Sequence, residues 1–128
     1  MDINGLIGVA RKALNNSYSP YSGFKVGAAL LTEDGRIYSG VNVENASFGL
    51  TVCAERIAVF KAVSEGQREF VALAVASSGD AFIYPCGACL QVLAEFSPQI
   101  KIFVTNQQDE YQEYHLSDLL PSIFVLDK

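Results

Sequence analysis

Three cysteines stand in the 128-residue chain, and two of them, Cys86 and Cys89, share the stretch YPCGACLQV from Tyr84 to Val92. A Cys-x-x-Cys pair admits three chemistries: a redox couple, part of a disulfide framework, or part of a metal site. The odd count, with Cys53 as the third, argues against a secreted disulfide scaffold, because an oxidising compartment would leave one thiol unpaired. Reduced thiols are expected. Each cysteine falls at the first turn of a helical pattern, where free backbone N–H groups and the positive dipole end favour thiolate. Residues three apart on a helix share a face, so Cys86 and Cys89 can converge on one point, with Cys53 adding a third sulfur from the neighbouring helix. A structural zinc site closes with four protein ligands, whereas a catalytic one commonly has three and keeps the fourth position for water. No fourth ligand offers itself. The one histidine, His115, lies in the polar stretch EYHL and reads as a surface residue. The set points to one catalytic Zn²⁺ per subunit, held by Cys53, Cys86 and Cys89.

Two charged residues follow Cys53 in an otherwise apolar helix, Glu55 and Arg56. Buried charges are costly unless compensated. Arg56, three residues after Cys53, shares its face and can hydrogen-bond a zinc thiolate. Three thiolates and one Zn²⁺ leave a formal negative charge that would oppose ionisation of a bound water, so a cation there has a physical purpose. Glu55 points to another side of the helix start, poorly placed to bind the same metal but able to flank the pocket. A carboxylate beside an activated water is a candidate proton shuttle. The plainer alternative is a helix-start glutamate favoured by the dipole.

The elements that must position these residues are legible in periodicity. Ile3, Leu6, Ile7, Ala10 and Leu14 recur at helical spacing up to a break at Asn15-Asn16-Ser17. Val26 to Leu31, Asp34-Gly35 and Arg36 to Val43 read as strand, tight turn, strand. TVCAERIAVFKAVSEG, from Thr51, reads as a buried helix with Thr51 as N-cap and Gly66 as its stop. Phe70 to Ala76 is a compact apolar strand, Cys86 to Phe96 a helix announced by Pro85, and Ile100 to Thr105 another strand. The tail, Tyr111 to Lys128, reads as a short strand, a helical turn opened by Ser117, and an exit at Pro121. Strands alternating with buried helices imply βαβ units and a mostly covered mixed sheet in one domain spanning residues 1–128.

Half of the residues are apolar, yet no run approaches the length of a membrane span, and Met1 to Asn15 lacks the order of a signal peptide. A mature, soluble, cytoplasmic protein is expected. The net charge is −5 and the nine Lys and Arg are scattered, which disfavours a polyanionic partner such as nucleic acid. A small, neutral or weakly charged ligand suits the chain better.

CAER at Cys53 to Arg56 and PCGAC at Pro85 to Cys89, together with YSPYSGFKVGAAL at Tyr18 to Leu30 and GVNVENAS at Gly40 to Ser47, resemble the cytidine deaminases of the short, homotetrameric, zinc-dependent class. The four motifs are ordered with consistent spacing, and the order of elements carries the resemblance over nearly the whole chain. The resemblance implies a three-layer α/β/α fold with a central mixed sheet of about five strands. It also implies hydrolysis of cytidine or 2′-deoxycytidine to the uridine nucleoside plus ammonia, in pyrimidine salvage. Glu55 would then act as both general base and general acid. Asn42 and Glu44 would hold ribose hydroxyls, Phe24 would pack beside the sugar or base, and the Ala54 backbone would lie near the pyrimidine. Asn42 and Glu44 alternate at a strand end, so both are expected to face one side. Phe48 and Phe124 would close the pocket of a neighbouring subunit.

Two positions depart from that family. Leu90 stands where arginine is common after the last cysteine, placing the charge compensation more heavily on Arg56. Phe48 stands where tyrosine is frequent, which removes a hydroxyl. The rival readings are a deaminase of another substrate, such as blasticidin S, a free base, a nucleotide or tRNA, and, outside catalysis, a zinc module that binds a protein partner or a redox Cys-x-x-Cys protein. A fourth protein ligand would mark the zinc module, and a reversible Cys86–Cys89 disulfide the redox protein.

Overall fold

The computed structural model describes residues 1–127, so the last residue of the expected tail, Lys128, lies outside the described residues. The chain opens with helix α1 (Ile3–Ala13), whose first turn is capped by Asp2 Oδ1 accepting from the Gly5 N–H at 2.9 Å, and whose last turn carries Arg11 and Lys12. Both choices suit the helix dipole. A single 3₁₀ turn, Leu14–Asn16, ends it at the expected polar break. The hairpin follows as β1 (Val26–Thr32) and β2 (Ile37–Val41), and then a 3₁₀ turn at Phe48–Leu50.

Helix α2 (Ala54–Ser64) leads to β3 (Phe70–Ser77), α3 (Gly87–Phe96), β4 (Lys101–Thr105), β5 (Tyr111–His115) and the short α4 (Leu116–Leu119). The five strands form one mixed sheet in the order β2-β1-β3-β4-β5. β3 and β4 pair in parallel across α3, while the other pairs are antiparallel.

Alternation along the strands divides the core into two sides. Leu6, Ile7 and Ala10 of α1 pack on a floor of small residues, Ala29, Ala72, Ala74 and Ala76, with Phe103. On the opposite face, α2 and α3 cover Ala28, Leu30, Leu73, Val75, Ile102 and Val104. The result is the three-layer α/β/α arrangement. Among the described residues no helix is long and apolar enough to cross a membrane.

Three helix starts differ from expectation. Val52 pairs with Val43 by reciprocal backbone bonds of 3.0 Å, and Thr51 Oγ1 accepts from the Asn45 N–H at 3.1 Å. The chain is therefore held extended as far as Cys53 (φ −71°, ψ 154°), which replaces Thr51 as the N-cap of α2. Likewise α3 begins after Cys86, its extended N-cap residue, and α4 is capped from His115, whose N–H donates to Asp118 Oδ2 at 2.9 Å, so Ser117 lies inside the turn. The end of α2 falls where expected, with Gly66 at φ +91°.

Gly40 settles how close α2 can come to the sheet. A Cβ there would lie 2.2 Å from the Ala54 carbonyl oxygen and 2.6 Å from the Ala58 nitrogen, so only glycine lets the first turn of α2 rest on β2.

Candidate active site

The two helices that cover one face of the sheet present their N-termini to a common point. Cys53 Sγ lies 3.9 Å from Cys86 Sγ, and Cys86 Sγ lies 3.2 Å from Cys89 Sγ. All three sulfurs fall within 4.8 Å of one another. Sulfurs about 2.3 Å from one tetrahedral zinc would stand roughly 3.8 Å apart, so the set fits that ion with modest adjustment. Cys89 is buried, Cys53 half-buried and Cys86 exposed, and all three are free thiols. His115 is exposed on β5, outside this cluster.

Arg56 Nη2 donates to Cys53 Sγ at 3.6 Å. The Arg56 Nε is buried without a hydrogen-bond partner. A guanidinium spent in this way is unexplained by packing and suits a site that gathers negative charge. The neighbouring Cys89 thiol and then Arg56 hold Cys53 down to about 5. In turn Cys53 and burial push the Cys89 thiol far above the usual thiol range. The Cys53 thiolate is thus already favoured without a metal, whereas the Cys89 thiol requires a cation to ionise.

Cys53, Cys86, Ala54 and Glu55 line a cavity of about 160 Å³ together with Asn42, Val26, Thr51, Ile83 and Tyr84. Glu55 is only 4% exposed. Burial, and then the charge on Cys53, raises its carboxyl from 4.5 to about 7. Two larger hollows, of about 500 and 570 Å³, sit around Glu33 and Glu69, but neither touches a cysteine. The smaller cavity is the one with chemistry in its walls.

Asn42 lies just beyond β2, its side chain turned inward. Its Oδ1 accepts from the Val26 N–H at 3.0 Å and from the Ser17 hydroxyl, and its Nδ2 donates to the Phe24 carbonyl at 2.8 Å. One amide hydrogen remains for a ligand. Glu44 accepts from the Tyr21 and Ser22 N–H groups at 3.0 and 3.1 Å and from the Ser22 hydroxyl. That hydroxyl, and then the two backbone donors, hold its carboxyl below the usual range. Both residues therefore address the same loop, which ends in Phe24.

Phe24 is 39% exposed, its backbone tied to the cavity through Asn42. Phe48 and Phe124 are not brought into the cavity of their own chain: they are 75% and 69% exposed. Phe48 meets Tyr21 edge-on, ring centroids 6.2 Å apart. Phe124 is gripped by Gln91, whose Nε2 donates to the Phe124 carbonyl at 3.0 Å while its Oε1 accepts from the Phe124 N–H at 3.1 Å. Leu90 is buried in the apolar core that α3 covers.

Sequence reasoning passed over Val26, Thr51, Ile83 and Tyr84 as cavity residues. Ile83 and Tyr84 directly precede Pro85, so their closeness to the motif was the available signal, whereas Val26 carried only a strand pattern.

Residues 2–105 match the family described as the cytidine and deoxycytidylate deaminase zinc-binding region. A cytidine deaminase of Sporosarcina psychrophila is 49% identical over 125 residues, covering 97% of this chain and 92% of that protein. One of Halalkalibacterium halodurans is 50% identical over 128 residues, covering 99% and 97%. The crystal structure of a cytidine deaminase from Burkholderia pseudomallei superposes with a TM-score of 0.93 at 47% identity, covering 97% of this chain and all of that one. With the thiol cluster, the fold and these relatives in agreement, the chain belongs to the zinc-binding cytidine and deoxycytidylate deaminase family.

Proposed function

We propose that the protein hydrolyses cytidine and 2′-deoxycytidine to uridine and 2′-deoxyuridine with release of ammonia, in cytoplasmic pyrimidine salvage. The observation that carries this reading is a single buried carboxyl, Glu55, opening into the same small cavity as Cys53 and Cys86. Cys53, Cys86 and Cys89 would hold the zinc ion. Bound Zn²⁺ supplies Lewis acidity that lets water ionise near neutral pH.

Glu55 does the proton work. Its carboxylate takes a proton from the water adding at C4 of the cytosine ring and passes it to N3. It then takes the remaining water proton and delivers it to the departing amine, so the C4–N bond breaks, ammonia leaves, and the carboxylate is restored. Burial, which disfavours the charged form of this carboxyl, suits it to accept a proton and return it. Arg56 offsets the charge of the thiolates. Asn42 and Glu44 orient the ribose at the far side from the sulfurs, Phe24 packs beside the nucleoside, and the Ala54 backbone borders the base.

The assembly that fits this reading is a homotetramer in which Phe48 and Phe124 reach a neighbouring subunit's pocket. Leu50, Val125 and Leu126 are also 66–71% exposed, a run of apolar side chains that a monomer leaves in water.

Zinc content and ammonia release from cytidine, measured on the same purified sample, test the function. About one zinc per chain and release of ammonia matched by uridine are expected. A zinc-loaded sample inert toward both nucleosides would overturn the reading.

A further inference from the structure

The Phe24 backbone is held at both its carbonyl and its N–H. Its carbonyl is fixed by Asn42 Nδ2 at 2.8 Å, and its N–H donates to Ser22 Oγ at 3.0 Å. The next residue is laced to the chain leaving β3: Lys25 N–H donates to Ser78 Oγ at 3.0 Å, and Ser78 N–H donates to the Lys25 carbonyl at 2.9 Å. Gly79, directly after that lacing, has its own N–H on Ser77 Oγ at 3.2 Å. The two backbones cannot slide apart without breaking these bonds.

Against this frame the Phe24 ring lies on Gly79. A Cβ at position 79 would stand 2.8 Å from Phe24 Cε1 and 3.6 Å from Cζ, and the first distance is well inside carbon–carbon contact. The φ of Gly79 is not in the left-handed region, so the glycine is not explained by a turn. What it provides is room for the ring. With both backbones tied, a methyl group there would be relieved by rotation of the Phe24 side chain, and the ring would leave its seat.

We propose that Gly79 is a positioning residue that sets where the Phe24 ring stands relative to the bound nucleoside. The inference rests on the proposed placement of Phe24 beside the nucleoside. Gly79 touches no reacting atom. It acts through Phe24, and its effect falls on substrate binding where the ring makes the same contact in the ground and transition states.

Kinetics of the zinc-loaded protein with Gly79→Ala, Phe24→Ala, Phe24→Leu and the combined variants test this. Gly79→Ala is expected to raise KM for cytidine about 3- to 10-fold, the scale of one aromatic contact, with kcat and zinc content held. In the Phe24→Ala background the same change should do nothing further, and Phe24→Leu, whose shorter side chain clears the methyl, should lessen the effect of Gly79→Ala. An equal rise in both backgrounds would overturn the inference. A raised KM for Phe24→Ala beside a wild-type KM for Gly79→Ala would sink it alone, whereas Phe24→Ala with unchanged KM would remove Phe24 from the nucleoside and the inference with it. Thermal melts of every variant separate these outcomes from misfolding, and a Gly79→Ala protein that loses zinc or its cooperative melt would also count against it.

Discussion

Arg56 reaches back one turn of α2 to place Nη2 3.6 Å from Cys53 Sγ, the N-cap of the same helix. Cation and thiolate are thereby delivered by one rigid element, and no loop has to close to bring them together. Among the described residues no other cation makes such a contact with the sulfurs, and Leu90, the residue after Cys89, is 4% exposed in the apolar core.

Arg56→Gln should therefore leave the thiolate charge uncompensated. The acid limb of the pH dependence of kcat/KM is expected to move to higher pH, since ionising water beside a more negative centre becomes harder. Leu90→Ala should leave that limb in place while costing about 2–4 kcal/mol of stability through the cavity it opens. Measurement of pH–rate profiles and melts on both variants checks the division of roles, and an unmoved limb for Arg56→Gln would contradict it.

Glu55→Gln keeps the shape of the side chain and removes its proton chemistry. Turnover should fall at least ~10²–10⁴-fold, with zinc content preserved and KM changed far less. Steady-state kinetics beside metal analysis decide it: near-normal kcat would remove Glu55 from the proton path.

The raised Glu55 carboxyl has a second consequence, visible in the metal-free protein. Its folded value of about 7 lies above the ordinary 4.5, so the folded state binds the proton more tightly than the unfolded chain. This contribution is fully present below pH 4.5 and is lost as pH rises through about 7. Above that range the buried carboxylate weakens the fold by about 3 kcal/mol relative to a neutral isostere. Metal-free Glu55→Gln should then outlast metal-free wild type in urea at pH 8, and the advantage should fade at pH 4. Equal midpoints at both pH values would refute the burial argument.

Gly40→Ala tests the seat of α2. The added methyl would meet the Ala54 carbonyl oxygen and the Ala58 nitrogen, both backbone atoms that cannot turn aside. A loss of about 1–3 kcal/mol is expected, as for other overpacked cores. Because the displaced turn carries Ala54 and Glu55 and follows Cys53, zinc affinity measured by chelator competition should fall along with the melt.

Local chemistry made most of this protein legible from its sequence. The hairpin, the helix stop at Gly66 and the order of layers follow from patterns spanning a few residues, and the gathering of Cys53, Cys86 and Cys89 follows from their positions at helix starts. Features set by contacts distant in sequence were not legible. Thr51 reads as a helix cap, but the pairing of Val43 with Val52 keeps the chain extended as far as Cys53. Asn42 reads as a polar group for a ligand, yet most of its bonding capacity goes to Ser17, Phe24 and Val26. Leu90 reads as a gap in the charge around the metal, but its side chain is spent on the apolar core. The contact of Gly79 with Phe24 spans more than fifty positions and leaves no pattern in either segment.

Both central helices begin on a sulfur that is also a proposed metal ligand: Cys53 caps α2 and Cys86 caps α3. Cys53 makes no side-chain bond to the amides it precedes, and Cys86 accepts only from the Cys89 N–H, at 3.4 Å. An ion bound there would therefore fasten two helix ends that ordinary capping leaves loose. Its withdrawal should register first as fast amide hydrogen exchange in the opening turns of α2 and α3, while the strands beneath remain protected. Chelation would loosen the site locally before it cost the protein its fold.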